Sequence, residues 1–125
     1  ELHLDGVTVS GRADVILDQE GGVTDALAIV DYKTSTSGDT LEHALQLQVY
    51  ADAGRREGLD VTAAYVHDLK VASRSSVPVD QAEIDQAEKT VSDAAAQIKA
   101  RNFDPRPGTK CRTCEVRTVC RFRSG

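Results

Sequence analysis

Apolar and polar residues alternate over residues 7–17, and a second, mostly apolar run covers residues 26–32. The dipeptide Gly21-Gly22 lies between the two runs, and strand-like runs on either side of a glycine pair predict a β-hairpin. With the loop centred just after the second glycine, antiparallel pairing places Asp14 directly opposite Asp31. Directly opposed residues point to the same face of a sheet, so the pattern predicts two neighbouring carboxylates.

Lys33 is two residues after Asp31, and we expect it on the same face as the two acids, because side chains along a strand alternate between the two faces. Two carboxylates this close repel each other unless a cation lies between them, and hard oxygen ligands favour Mg²⁺ or Mn²⁺. Asp14 and Asp31 would bind the metal, with the backbone carbonyl of Tyr32 as a further ligand. Lys33 would orient the attacking water or the scissile phosphate, as in metal-assisted phosphodiester hydrolysis. The alternative is a solvated salt bridge without a catalytic role.

Residues 39–57 predict a helix, because Leu41, Leu45 and Val49 recur at helical spacing and would form its buried stripe. Gln46 and Tyr50 are four residues apart on a neighbouring face of that helix. A polar pair beside the buried stripe can reach either the acidic site or its substrate.

The following residues predict two strands, 61–69 and 71–79, joined by a turn at residues 68–70. Asp80 is the expected N-cap of a second helix that extends to about residue 101, and Glu83 would complete a capping box. The apolar residues of this helix that share the predicted buried face are Ile84, Ala87, Val91, Ala94, Ala95 and Ile98.

Three motifs in this order resemble the RecB-like branch of the PD-(D/E)XK nuclease superfamily. The motifs are Gly11-Arg12-Ala13-Asp14, Asp31-Tyr32-Lys33 and Gln46-Leu47-Gln48-Val49-Tyr50-Ala51. The resemblance implies an α/β restriction-endonuclease-like core over residues 1–104, with a mixed central sheet flanked by helices. It also implies that Gln46 and Tyr50 position substrate or brace the site, beside the metal-binding acids and Lys33.

All three cysteines, Cys111, Cys114 and Cys120, lie in a tail over residues 105–125 that we assign to the same domain. Their odd number argues against a complete set of disulfides, and clustered thiolates suit zinc or an iron–sulfur cluster. The spacing resembles iron–sulfur members of the same family, which include AddB-type helicase–nucleases and CRISPR-adaptation nucleases. That resemblance implies a [4Fe-4S] cluster; reduced, unligated thiols and a three-ligand zinc site are the alternatives.

The sequence opens at Glu1 in a strand-like run and contains no Met, so we expect a fragment of a longer polypeptide. The first helix of the nuclease fold and the fourth cysteine ligand of the cluster would then lie in the missing part. The cluster site of the fragment alone would be prone to stand empty.

The 125 residues, 40% of them hydrophobic, suffice for one domain with one modest core. An apolar run of the ~18 residues needed to span a bilayer is absent, as is a secretory leader, so we expect a cytoplasmic protein. The net charge of −5 is divided unevenly, since residues 99–125 hold eight Lys or Arg and two acids. This basic tail would contact phosphates, or would only solvate the chain.

These features together predict a divalent-metal-dependent DNA nuclease. We expect an exonuclease that acts on single-stranded DNA ends in repair or recombination and is joined to a helicase domain or subunit. Two other interpretations stay open. One is an inactive nuclease-fold module that binds DNA or a partner, and the other is a cysteine-metal or redox-sensing scaffold in which the acids are incidental.

Overall fold

A computed structural model describes residues 1–18, 26–34 and 40–123. The chain divides into two compact units, Glu1–Ala94 and Ala95–Gly125. The element order is β1 (Leu2–Leu4), β2 (Val7–Val9), β3 (Val15–Asp18), β4 (Ala26–Lys33), α1 (Thr40–Arg56), β5 (Asp60–Asp68), β6 (Ser73–Val77), α2 (Gln81–Lys99) and a 3₁₀ turn, Thr109–Arg112. No helix in the described part of the chain is long and apolar enough to cross a bilayer.

The predicted single strand over residues 7–17 is wrong, because two separate strands occupy that stretch. Strand β2 pairs with β1 in a two-stranded sheet of its own, whereas β3 pairs with β4. The β1–β2 turn has positive φ at Asp5 (46°) and Gly6 (75°), as a type I′ hairpin turn requires. Residues 10–14 connect the two sheets and belong to neither strand.

A four-stranded sheet with the order β3-β4-β5-β6 forms the centre of the first unit. The β3–β4 and β5–β6 pairs are antiparallel and the β4–β5 pair is parallel, which confirms the predicted mixed sheet. Val15 pairs with Val30, and this is the register that predicts Asp14 opposite Asp31. The Gly21-Gly22 turn itself lies outside the described residues. A bulge at Thr62 changes the phase of β5, so that Val61 and Ala64 both enter the core.

Helix α1 packs on this sheet, but its buried face differs from the predicted stripe. Val49 is buried as predicted, but Leu47 and Ala51 are fully buried, Leu45 is only half-buried, and the side chain of Leu41 lies outside the described residues. The observed face includes the polar residue Gln48, whose amide donates hydrogen bonds to the carbonyl oxygen of Pro78 (3.1 Å) and to Glu83 (3.3 Å). Apolar spacing alone cannot identify a face that carries polar residues with distant partners. The core residues are Ile29, Leu47, Ala51, Val61, Ala64, Val77, Val79 and Ile84.

Helix α2 begins as predicted, since the carboxylate of Asp80 accepts a hydrogen bond from the backbone N–H of Glu83 (3.2 Å). The Glu83 carboxylate accepts a hydrogen bond from the Gln48 amide, and the predicted capping box did not include this partner. Ile84 and Ala87 are buried, but Ala94 is exposed and Ile98 is 62% exposed. The predicted buried stripe is therefore wrong for the second half of the helix.

Candidate functional site

Asp31 lies near the end of β4, one of the two inner strands of the sheet, with a hydrogen-bonded neighbour on each side. Ala28, Ile29, Val30 and Asp31 are consecutive buried residues, as expected for a central strand with both faces covered. A carboxylate in such a run is costly to bury unless a charged or hydrogen-bonding partner accompanies it. The partner present is Lys33, whose Nζ lies 2.7 Å from Oδ2 of Asp31 on the same face of the strand.

Oδ2 of Asp31 is buried and has no hydrogen-bond partner with acceptable angles among the described residues. The short distance to Lys33 therefore reflects an ion pair whose geometry is poor for a hydrogen bond. An oxygen in this state can accept a further partner, either a cation or a water molecule.

Asp14 lies at the bend directly before β3, at the position that continues the β3–β4 register to Asp31. Its Oδ2 accepts a hydrogen bond from the backbone N–H of Tyr32, at 3.0 Å. This bond is the main reason that the pKa of Asp14 lies below its usual range, followed by a hydrogen bond with Asp31 and the charge of Lys33. The two carboxyl groups therefore lie close enough for each to influence the other, with the lysine charge beside them.

Gln46 and Tyr50 lie on helix α1, where Nε2 of Gln46 donates a hydrogen bond to Oη of Tyr50 (3.0 Å). The Tyr50 ring lies against the backbone of Gly11, because a Cβ built on Gly11 would be 2.5 Å from Cε1 and 2.8 Å from Oη. Tyr50 thus contacts the segment that ends at Asp14, and Gln46 is linked to that segment only through Tyr50. From the sequence alone, Gly11 had no assigned structural role. The available signal was the presence of a glycine three residues before Asp14.

Tyr32 alternates with Asp31 and Lys33 along β4, and its ring packs edge-on against His67 of β5, with centroids 5.5 Å apart. Nδ1 of His67 is buried and lacks a hydrogen-bond partner within the described ranges. The Tyr32 side chain thus anchors the end of β4 through a ring contact, while its backbone N–H holds Asp14.

The three cysteines lie in the second unit, where Cys111 and Cys120 are half-buried, Cys114 is exposed and none forms a disulfide. The Sγ atom of Cys111 accepts a hydrogen bond from the backbone N–H of Gly108 (3.4 Å). Within residues 1–18, 26–34 and 40–123, no three or more Cys, His, Asp or Glu side chains form a group that could hold a metal. The thiols as placed do not fit an iron–sulfur cluster, which stays a prediction from the sequence.

The acidic site likewise lacks a third Cys, His, Asp or Glu among the described residues, so the protein side chains would supply two carboxylates, Asp14 and Asp31. Mg²⁺ is commonly held by one or two carboxylates, with waters and substrate phosphates as its other ligands. The buried Oδ2 of Asp31, which has an ion pair but no hydrogen bond among the described residues, and the neighbouring carboxylate of Asp14 therefore fit a hard divalent cation.

The family model that matches this chain is described as the PD-(D/E)XK nuclease superfamily, and the match covers residues 1–121. No curated protein matches the chain.

Proposed function

The chain belongs to the PD-(D/E)XK nuclease superfamily, and we propose on that premise that it is a divalent-metal-dependent deoxyribonuclease that hydrolyses phosphodiester bonds. The single observation that carries the proposal is the convergence of three groups at the end of β4: Asp14 is held by the backbone N–H of Tyr32 (3.0 Å), beside Asp31 and Lys33, whose charged atoms are 2.7 Å apart. Surface salt bridges seldom contain a second acid and a buried oxygen without a hydrogen bond, so this arrangement supports a binding site.

Asp14 and Asp31 are the proposed metal ligands, with the backbone carbonyl of Tyr32 as a third. The N–H and C=O groups of one strand residue point to the same side of the strand, and the Tyr32 N–H points to Asp14. Mg²⁺ or Mn²⁺ held there would polarise the scissile phosphate and make a bound water more acidic.

The neighbouring groups would hold the metal ligands and the substrate in place and stabilise the charge that develops during hydrolysis. The backbone N–H of Tyr32 fixes the orientation of the Asp14 carboxylate, so that its other oxygen stays available. Lys33 holds Asp31 in place and presents a positive charge that stabilises the attacking water or the scissile phosphate. Gln46 and Tyr50, joined by their 3.0 Å hydrogen bond, brace the segment that carries Asp14 and position substrate beside it.

The proposed substrate is single-stranded DNA, cut from an end, in repair or recombination and in company with a helicase domain or subunit. This part of the proposal is supported by the RecB-like order of the three motifs and by the excess of positive charge over residues 99–125.

The test is cleavage by the full-length protein with Mg²⁺ or Mn²⁺, for the wild type and for Asp31→Asn and Lys33→Ala. Each variant should lose about 10²-fold or more of the cleavage rate. Matched controls are Asp93→Asn and Lys89→Ala, because these residues form an ion pair of similar length, 2.6 Å, on the exposed face of α2. Undiminished hydrolysis by Asp31→Asn would refute the assignment, and a wild type that retains DNA without cutting it would favour an inactive binding module.

End-labelled substrates decide the finer statement. Single-stranded and double-stranded DNA, matching RNA and circular single strands should be compared under the same metal conditions. Single-stranded DNA with a free end should be degraded fastest, and rapid cleavage of circular DNA would show an endonuclease in place of an exonuclease.

A further inference from the structure

Gly11 and Tyr50 approach each other more closely than any other residue type at position 11 would permit. Real Cβ atoms essentially never come within 3.0 Å of another heavy atom, and a Cβ on Gly11 would have two atoms of the Tyr50 side chain inside that distance. The backbone of Gly11 does not itself require glycine, because its φ lies outside the left-handed region. Steric contact with the ring is therefore the reason for glycine at this position.

The segment from residue 10 to residue 14 belongs to no strand, so the bonds of the two sheets do not hold it. Among the described residues, the contacts that hold it include Gly11 against Tyr50, Ala13 against the core, and Asp14 to the backbone N–H of Tyr32. Ala13 is half-buried, whereas Gly11 and Asp14 are exposed.

We propose that Gly11 is a positioning residue for metal binding: its missing side chain lets Tyr50 seat the segment that places Asp14 beside Asp31. This inference rests on the proposed function, and it assigns the role to a residue that touches neither metal nor substrate. The contact links helix α1 to the acid through the backbone, since Gly11 is three residues from Asp14.

A methyl group at position 11 can be accommodated in two ways, and both disturb the site. Either the segment moves away from the helix and carries Asp14 with it, or the Tyr50 ring moves. A cavity of about 140 Å³ adjoins Gly11, Ala13 and Tyr50 and gives the ring room to shift. A shifted ring would lose the hydrogen bond that Oη receives from Gln46, and with it the brace.

The experiment measures Mn²⁺ binding to the full-length protein by electron paramagnetic resonance in the absence of DNA. Binding that is lost in Asp31→Asn is assigned to this site. Gly11→Ala should raise the Kd for Mn²⁺ about tenfold or more. Gly54→Ala is the matched control, because a Cβ there would crowd Val61 at 2.9 Å inside the core, away from the acids. Gly54→Ala should leave the Kd within about twofold of the wild type even where it lowers thermal stability.

A double variant separates positioning from general damage. Tyr50→Leu removes Cε1, Cζ and Oη, the atoms that crowd position 11. In the Tyr50→Leu background, Gly11→Ala should change the Kd by less than about twofold, because the clash is gone. Should Gly11→Ala alone fail to fold, the comparison between Tyr50→Leu and the double variant decides the question.

The outcomes separate the two proposals. A wild-type Kd for Mn²⁺ that Gly11→Ala leaves unchanged would overturn the role of Gly11 alone. An equal loss in Gly54→Ala, or a tenfold effect of Gly11→Ala that persists in the Tyr50→Leu background, would do the same. A wild type without saturable Mn²⁺ binding at this site would overturn both the proposed function and this inference.

Discussion

Nζ of Lys33 lies 2.7 Å from Oδ2 of Asp31, two residues earlier on the central strand, and the two side chains are 27% and 7% exposed. The pair is thus largely shielded from water, unlike the Lys89–Asp93 pair of α2, whose side chains are 68% and 66% exposed. Because the pair is shielded, removal of one partner should lower the stability of the fold, since the remaining charge is left with neither solvent nor a counter-charge.

Lys33→Met should lower the free energy of unfolding by about 1–3 kcal/mol, because it leaves the Asp31 carboxylate buried and uncompensated. Urea denaturation in EDTA measures the loss, and Lys89→Met should cost less than about 1 kcal/mol. Added Mn²⁺ should restore more stability to Lys33→Met than to the control. Equal losses in the two variants would contradict the prediction.

The stability contributed by Asp14 should depend on pH. The Tyr32 N–H bond, then the Asp31 carboxyl and the Lys33 charge, hold the pKa of Asp14 below its usual range. A carboxyl whose pKa is lower in the folded state stabilises the fold above its unfolded pKa, and this contribution is lost as the pH falls through its folded pKa. The stability difference between the wild type and Asp14→Asn should therefore be greatest above about pH 4 and shrink below it. Denaturation midpoints in EDTA from pH 7 to pH 2.5 test this, and a difference that grows on acidification would refute it.

Asp52 should show the opposite dependence. Burial raises the pKa of Asp52 above its usual range, although the hydrogen bond from Nε of Arg56 (3.0 Å) acts against this and the neighbouring Glu88 adds to it. Because the folded state then retains the proton longer, stability falls as the pH rises from about 4 through the folded pKa. Asp52→Asn should gain stability relative to the wild type over that interval. Thermal unfolding at half-unit pH steps measures it, and a gap independent of pH would contradict the prediction.

Arg55 should matter more for stability than a surface arginine. Its guanidinium donates to the carbonyl oxygens of Val61 (2.9 Å) and Val79 (2.7 Å), and so ties α1 to β5 and to the approach to α2. Arg55→Met should cost about 1–3 kcal/mol, because both acceptors lose a charged donor. Arg55→Lys should recover only part of this, since an ammonium lacks the two-pronged donor geometry.

A suitable control for Arg55 is Arg74→Met, because Arg74 is exposed and lies over the Tyr65 ring at 5.6 Å. Its loss should cost less than about 1 kcal/mol. Urea denaturation that ranks Arg74→Met as the more damaging change would contradict the assignment.

The sequence predicted those parts of the fold and site that depend on local pattern. The placement of Asp14 opposite Asp31 follows from the pairing of two strands about a turn. Asp80 as the N-cap of α2 follows from a polar residue that precedes an amphipathic run. The mixed sheet came from the family resemblance, and the structure confirms it. The roles of Asp14, Asp31 and Lys33 stay proposals, although the structure brings the three groups together.

The features that were missed depend on partners distant in the chain. Gln48 is buried because Pro78 and Glu83, 30 and 35 residues away, supply its hydrogen bonds. The division of residues 7–17 into two strands depends on a separate partner for Val7–Val9, which the alternation of the run does not reveal. The Gly11 contact likewise requires knowledge of where Tyr50 lies.

The parallel pairing of β4 with β5 bears on the order in which the site assembles during folding. Strands β3 and β4 are antiparallel neighbours along the chain, so their acids meet once a short loop closes. The pairing of β4 with β5 needs a crossover, which α1 supplies, and such long-range contacts form slowly. We therefore expect a newly made chain to bring its acids together before helix α1 has docked, so that the metal binding proposed above would be complete only late in folding.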